Sequence, residues 1–91
     1  MSQITVQMYA TLRERVGKRK VSIDADNVKD ALEGLGKELG NEFREQLYEK
    51  GEIKNYYILL LNGQHIDIER LSQTKLSPGD ILYILPPLAG G

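Results

Sequence analysis

The chain has 91 residues, of which 41% are hydrophobic and 27% charged, with a formal net charge of −1 at pH 7. That size and balance fit one small globular domain and exclude a disordered chain. The two charge signs are interspersed without a basic stripe, so nucleic acid is not an expected partner.

Starting at Ile4, the chain alternates Ile4, Val6, Met8 and Ala10 against Thr5, Gln7, Tyr9 and Thr11, the period of a half-buried strand. A polar stretch with Gly17 follows and reads as a basic loop. Alternation resumes over residues 20–25 with Val21, Ile23 and Ala25, so the two strands are expected to form an antiparallel hairpin. Val28, Ala31, Leu32, Leu35 and Leu39 then form one stripe of an amphipathic helix. Asn27 or Asp26 caps its start and Gly40 ends it. Gly34 and Gly36 inside the helix imply close packing or tolerance, since each weakens it by about 1 kcal/mol relative to Ala.

The charged stretch 41–55 offers only Phe43 and Leu47, spaced for a short second helix that Gly51 ends. "YYILLLNGQHI" is an unbroken apolar run, which suits a central strand, closed by the hairpin signal Asn62-Gly63. Leu71 and Leu76 tuck in along the next connection. Pro78 and Gly79 occupy the positions a type II turn wants, and "ILYIL" is the last strand before Pro86-Pro87. The expected architecture is α+β: a mixed sheet of four to five strands with one main helix packed across it, the first and last strands pairing in parallel. Residues 1–87 make the domain and 88–91 an extended tail.

The sequence carries no self-contained active-site pattern. With no cysteine and a single histidine, His65, the chain lacks thiol chemistry, disulfides and a two-imidazole metal set, so no metal site is expected. Glu42/Glu45 and Glu49/Glu52 lie in solvated segments, and Gly34-x-Gly36 is in a helix rather than a phosphate loop. Lys18-Arg19-Lys20 reads as a solvated hairpin tip. No apolar stretch is long enough to span a membrane and no signal leader is evident, so a cytoplasmic protein without membrane contact is expected.

The tail admits two readings. Pro86-Pro87 simply ends the last strand and the rest is an idle terminus, or the tip is the working part. For the second, the prolines stiffen the exit and Leu88 and Ala89 offer small apolar grips. Gly90 and Gly91 lack Cβ atoms, so a bare backbone can carry the terminal carboxylate through a narrow channel into another protein's catalytic centre.

"LPPLAGG" resembles the terminal motif of the MoaD family, the small subunits of molybdopterin synthase among the MoaD/ThiS ubiquitin-like sulfur carriers. "YATLRERVG", "NVKDALEGL", "LLNGQHI" and "LSPGDILYILPPLAGG" resemble further family segments in the same order. The resemblance implies a β-grasp, ubiquitin-like fold and a carrier that does no catalysis itself and holds no permanent cofactor. It implies that a ubiquitin-activating-type adenylyltransferase, MoeB-like, uses ATP to adenylate Gly91. A sulfur donor acting through that activating system then leaves a C-terminal thiocarboxylate. The large synthase subunit, MoaE-like, would take up Pro86, Pro87, Leu88, Ala89, Gly90 and Gly91 and use the sulfur for the molybdenum or tungsten cofactor.

Alternation further places Tyr9, Tyr83 and Leu85 on the outer side of the sheet, and together with His65 they are expected to form a partner-binding patch. Tyr9 and Leu85 match docking positions in the family, although Leu85 stands where Phe is more usual. The alternatives are a modifier whose Gly91 joins lysines by isopeptide bonds, a carrier for thiamin, cysteine or tRNA thiolation, or an interaction domain with an inert tail.

Overall fold

Residues 1–86 are described in the computed structural model, and the tail residues Pro87, Leu88, Ala89, Gly90 and Gly91 lie outside them. Strand β1 spans Ser2–Met8, helix α1 Ala10–Val16, β2 Lys20–Ala25, α2 Val28–Leu39 and α3 Asn41–Leu47. Two-residue strands β3 (Tyr48–Glu49) and β4 (Glu52–Ile53) follow, then β5 (Ile58–Leu61), β6 (Gln64–His65), a 3-10 turn over Ile68–Gln73 and β7 (Ile81–Leu85). The sheet order is β2-β1-β7-β5-β6, with β3 and β4 forming a separate hairpin. β1 and β7 are parallel, and the pairs β1–β2, β5–β7 and β5–β6 are antiparallel. This is the β-grasp, ubiquitin-like arrangement of five strands and a crossing helix.

The alternation of β1 is real but stops at Met8. Tyr9 is extended, Ala10 turns left-handed at φ 51°, and the expected loop is instead helix α1. Its large apolar residues, Leu12 and Val16, are one helical turn apart, and Leu12 is fully buried in the core. Arg13 and Arg15 fall in its last turn, where cations favour the negative end of the helix dipole, and Gly17 closes it at φ 82°. Seven residues with only two large apolar side chains give too short a periodic signal to separate such a helix from a charged loop.

Helix α2 forms as its stripe requires. The Asp30 N–H donates to Asn27 Oδ1 at 2.9 Å, which makes Asn27 the cap, while Asp26 meets the N-terminal ammonium at 3.3 Å. Gly34 is there for room: a Cβ on it would lie 2.7 Å from Ile23 Cδ1. Gly34→Ala is therefore expected to change stability by less than about 1 kcal/mol, because the helix-propensity gain is offset by displacing Ile23. In an Ile23→Val background the same change should stabilise by about 1 kcal/mol, a coupling readable from denaturation midpoints.

Phe43 and Leu47 are buried as the anchors of α3, but this helix ends at Leu47. Lys50 and Gly51, both at positive φ, instead turn the β3–β4 hairpin. Asn62 and Gly63, at φ 52° and 90°, make the expected β5–β6 turn. The Asp80 N–H reaches Ser77 O at 3.1 Å across Pro78-Gly79, with Gly79 at φ 86°, as the type II turn expected there demands.

The strand expected at the centre sits elsewhere. β7 is central, whereas β5 lies next to the two-residue edge strand β6. Tyr56 and Tyr57 precede β5 rather than belonging to it. Only Leu59 of this run is fully buried, and Ile58 and Leu60 point to the other face. The run is unbroken because both faces of the strand are apolar, not because both are covered.

Candidate docking face and chain exit

The core side of the sheet is fixed by Ile4, Val6, Met8, Leu59, Leu82 and Ile84, each at most 1% exposed. Their neighbours along each strand must face the other way. Register aligns those outward residues across strands. Lys20 is opposite Gln7, Gln7 opposite Tyr83, Tyr83 opposite Leu60 and Leu60 opposite His65. One step further along, Leu85 is opposite Ile58 and follows the Met8–Ile84 pair, so Tyr9 flanks it on the β1 side. Ile81 joins the face beside Thr5. Every outward residue in these rows is half-buried or exposed, so among the described residues nothing packs over this side.

Its centre is apolar and ordered by side-chain contacts. The Tyr9 and Tyr83 rings stack at 6.4 Å between centroids with 21° between planes. Tyr9 Oη donates to Gln7 Oε1 at 3.0 Å, tying the aromatic pair to β1. Tyr9, Tyr83 and Leu85 are therefore brought together as expected. His65 lies in the same row but at the far rim, two strands from Tyr83 and exposed. Leu60, Ile58 and Ile81 complete the patch and were not anticipated. The signal for two of them was present: an apolar run too long for a near-edge strand with a solvated face.

Strand β7 delivers the chain end from the middle of this face. It leaves through Leu85 and half-buried Pro86, with Tyr9 on one side and Ile58 on the other. No charged residue stands in that last row. The expected tail residues Pro87, Leu88, Ala89, Gly90 and Gly91 lie outside the described residues.

The remaining chemistry is sparse. Among the described residues no three His, Asp or Glu side chains gather as a metal site, and no helix is long and apolar enough to cross a membrane. Two tyrosines, Tyr48 and Tyr57, are perturbed. Burial pushes the Tyr48 hydroxyl up, and nearby Glu33 adds to it; burial also raises Tyr57, with Tyr56 adding to it across a 5.3 Å ring stack. A raised tyrosine pKa means the fold holds its proton longer than the unfolded chain does. The associated stability is complete below about pH 10 and is lost as pH rises through the folded-state values. Tyr57→Phe should flatten that alkaline loss, measured by denaturant unfolding across pH 9 to 11 or so.

A family model described as "ThiS family" matches residues 6–91. Small archaeal modifier protein 3 of Haloferax volcanii is 33% identical over 92 residues, covering 98% of this chain and 99% of that protein. The crystal structure of SAMP1 from Haloferax volcanii superposes with a TM-score of 0.85 at 26% identity, covering 99% of this chain and 100% of that one. At the level of fold alone, the chain is also similar to one in the complex of subunits 1 and 2 of the molybdopterin-converting factor from Helicobacter pylori. There the TM-score is 0.69 at 22% identity, with 98% of this chain and 99% of that one covered.

Proposed function

We propose, proceeding from the fact that this chain belongs to the ThiS family of ubiquitin-like sulfur carriers and modifiers, that Gly91 is its working group and that the folded body serves to present it. The observation that supports this most is the extent of the family match, which runs through the Leu88-Ala89-Gly90-Gly91 end rather than stopping at the last strand. A free carboxylate is a poor electrophile. In the proposed sequence a Gly91 oxygen attacks the α-phosphorus of ATP in an activating adenylyltransferase, pyrophosphate leaves, and an acyl-adenylate results. A persulfide sulfur of the donor then attacks the acyl carbon and AMP leaves, giving an acyl disulfide. A second thiol reduces its S–S bond and frees the thiocarboxylate. The carrier has no cysteine, so both the persulfide and the reducing thiol belong to partners.

For the acceptor we favour molybdopterin assembly, on the likeness of "LPPLAGG" to the MoaD tails and the fold shared with a subunit of the molybdopterin-converting factor. In this reading the rows around Tyr9, Tyr83, Leu85 and Leu60 dock the MoeB-like adenylyltransferase and then the MoaE-like large subunit. His65 lies at the rim. Protein modification is a second reading, favoured by the 33% identical modifier protein. It shares the adenylate and differs in the nucleophile, a lysine amine in place of a persulfide.

The common step is tested by isotope exchange between pyrophosphate and ATP in the presence of the adenylyltransferase. Exchange should require this chain with Gly91 intact. Exchange equally fast without the chain, or with Gly91 removed, would overturn the proposal. Mass spectra of the products then separate the readings by thiocarboxylate on Gly91 or Gly-Gly adducts on lysine.

A further inference from the structure

Strand β2 forms one border of the sheet, with β1 as its only sheet partner among the described residues. The hydrogen-bond phase of β1 shows what that border offers. The Met8 N–H donates toward β2, to Arg19 O at 2.9 Å. The Thr5 N–H donates the other way, to Asp80 O at 3.0 Å, and Gln3 O accepts from the Gly79 N–H. Odd-numbered residues of β1 thus direct their backbone groups toward β7. Their antiparallel partners in β2 are Asp24 opposite Gln3, Ser22 opposite Thr5 and Lys20 opposite Gln7. Residues facing each other in such a pair direct their backbone groups apart, so Lys20, Ser22 and Asp24 present theirs to the open border. All three are exposed, and neither charged side chain is ion-paired to another described residue.

The spacing of these three is self-complementary. When β2 meets a second β2 antiparallel about a twofold axis at Ser22, Ser22 faces its own copy. Lys20 of each chain then faces Asp24 of the other. Every outward N–H and C=O in the strand finds a partner, and unlike charges meet at both ends. Sliding the strands by two residues in either direction leaves one of the three outward residues without an opposite number inside the strand. A charged border often serves to repel other strands, as a lysine alone would. Here lysine and aspartate lie equidistant from the central serine, which is the pattern an isologous contact needs.

We propose that the β2 border is a self-association site whose occupant is a second copy of this chain, joined through Lys20, Ser22 and Asp24 into one continuous sheet. The contact is independent of the tail and of the proposed sulfur chemistry. With the twofold axis perpendicular to the sheet, both apolar outer faces stay open on the same side. The two β7 strands run in opposite directions, so the two chain exits lie at opposite ends of the joined sheet. A contact of one short strand is small, so the dimer should be weak and in rapid exchange.

Sedimentation equilibrium of the full chain in low salt, from about 10 μM to about 1 mM, tests this. The weight-average mass should climb toward that of a dimer. Lys20→Asp or Asp24→Lys alone replaces both unlike pairs with like ones and should weaken association by about tenfold or more. The double exchange, Lys20→Asp with Asp24→Lys, restores unlike pairs and should return it to the wild-type level. Ser22→Pro removes an outward N–H without touching the β1 ladder, so it should abolish the dimer while the fold persists. Should that variant not fold, the charge exchanges decide the matter alone. A wild-type mass that stays monomeric at the highest concentration overturns the proposal. So does a dimer that either single charge reversal leaves unchanged.

Discussion

Removal of Gly91 is expected to lower sulfur transfer by at least about a hundredfold while moving the thermal midpoint by no more than about 2 °C. The two halves of this expectation have separate origins. Stability resides in residues that end before the tail: β7 finishes at Leu85, and the fully buried side chains run from Ile4 to Ile84. Reactivity, in the proposed mechanism, depends on where one carboxylate sits in a partner's catalytic centre. Deleting a residue from an extended chain retracts that group by roughly 3.5 Å. A displacement of even about 1 Å in a reacting group can cost a hundredfold in rate. Single-turnover transfer with the activating enzyme, ATP and donor, beside a thermal melt, reads both halves. A shortened chain that still transfers sulfur at the parent rate would remove Gly91 from the chemistry.

The second large effect is expected on the apolar face. Tyr83 stands between Gln7 and Leu60 on the central strand and stacks on Tyr9. Tyr83→Glu would place a carboxylate where docking has to strip away water, and Leu60→Glu would do so one strand over. Each should weaken binding of the activating enzyme by about 2 kcal/mol or more, roughly thirtyfold, as for a central contact residue. His65→Ala, at the exposed rim, should cost less than about 1 kcal/mol. All three positions face away from the core, so the fold should persist. Calorimetric titration against the adenylyltransferase gives the comparison. Equal affinities for wild type and Tyr83→Glu would move the docking surface elsewhere.

The sequence patterns reveal the fold wherever a single period runs long enough. The alternation of β1 and β2, the stripe of α2 and the two glycine turns all formed where expected, because each is a local pattern with one structural solution. Helix α1 escaped because Leu12 and Val16 alone cannot distinguish a helix from a loop, and because Ala10, the residue that turns the chain, carries no turn signal. The β3–β4 hairpin escaped for the same reason, since two-residue strands leave no period to detect.

The site was legible in a different way. Strand alternation alone placed Tyr9, Tyr83 and Leu85 on one outward face, which the cross-strand register now aligns. Leu60 and Ile58 were hidden by a sound rule applied to the wrong cause. A continuous apolar run ordinarily means that a strand is covered on both sides, and β5 keeps its outward residues apolar without a cover. Leu60 and Ile58 thus belong to the uncovered outer face of the sheet, the face proposed above to dock a partner, rather than to the core.

The central claim, that Gly91 is converted to a thiocarboxylate, is tested most directly by the intact mass of the full-length chain. The chain is incubated with its adenylyltransferase, ATP and a persulfide donor, followed by a reducing thiol. The expected result is a species heavier by one oxygen-to-sulfur exchange, with fragmentation assigning the added mass to Gly91. A chain that keeps its unmodified carboxylate while the same enzyme demonstrably consumes ATP on it would contradict the claim.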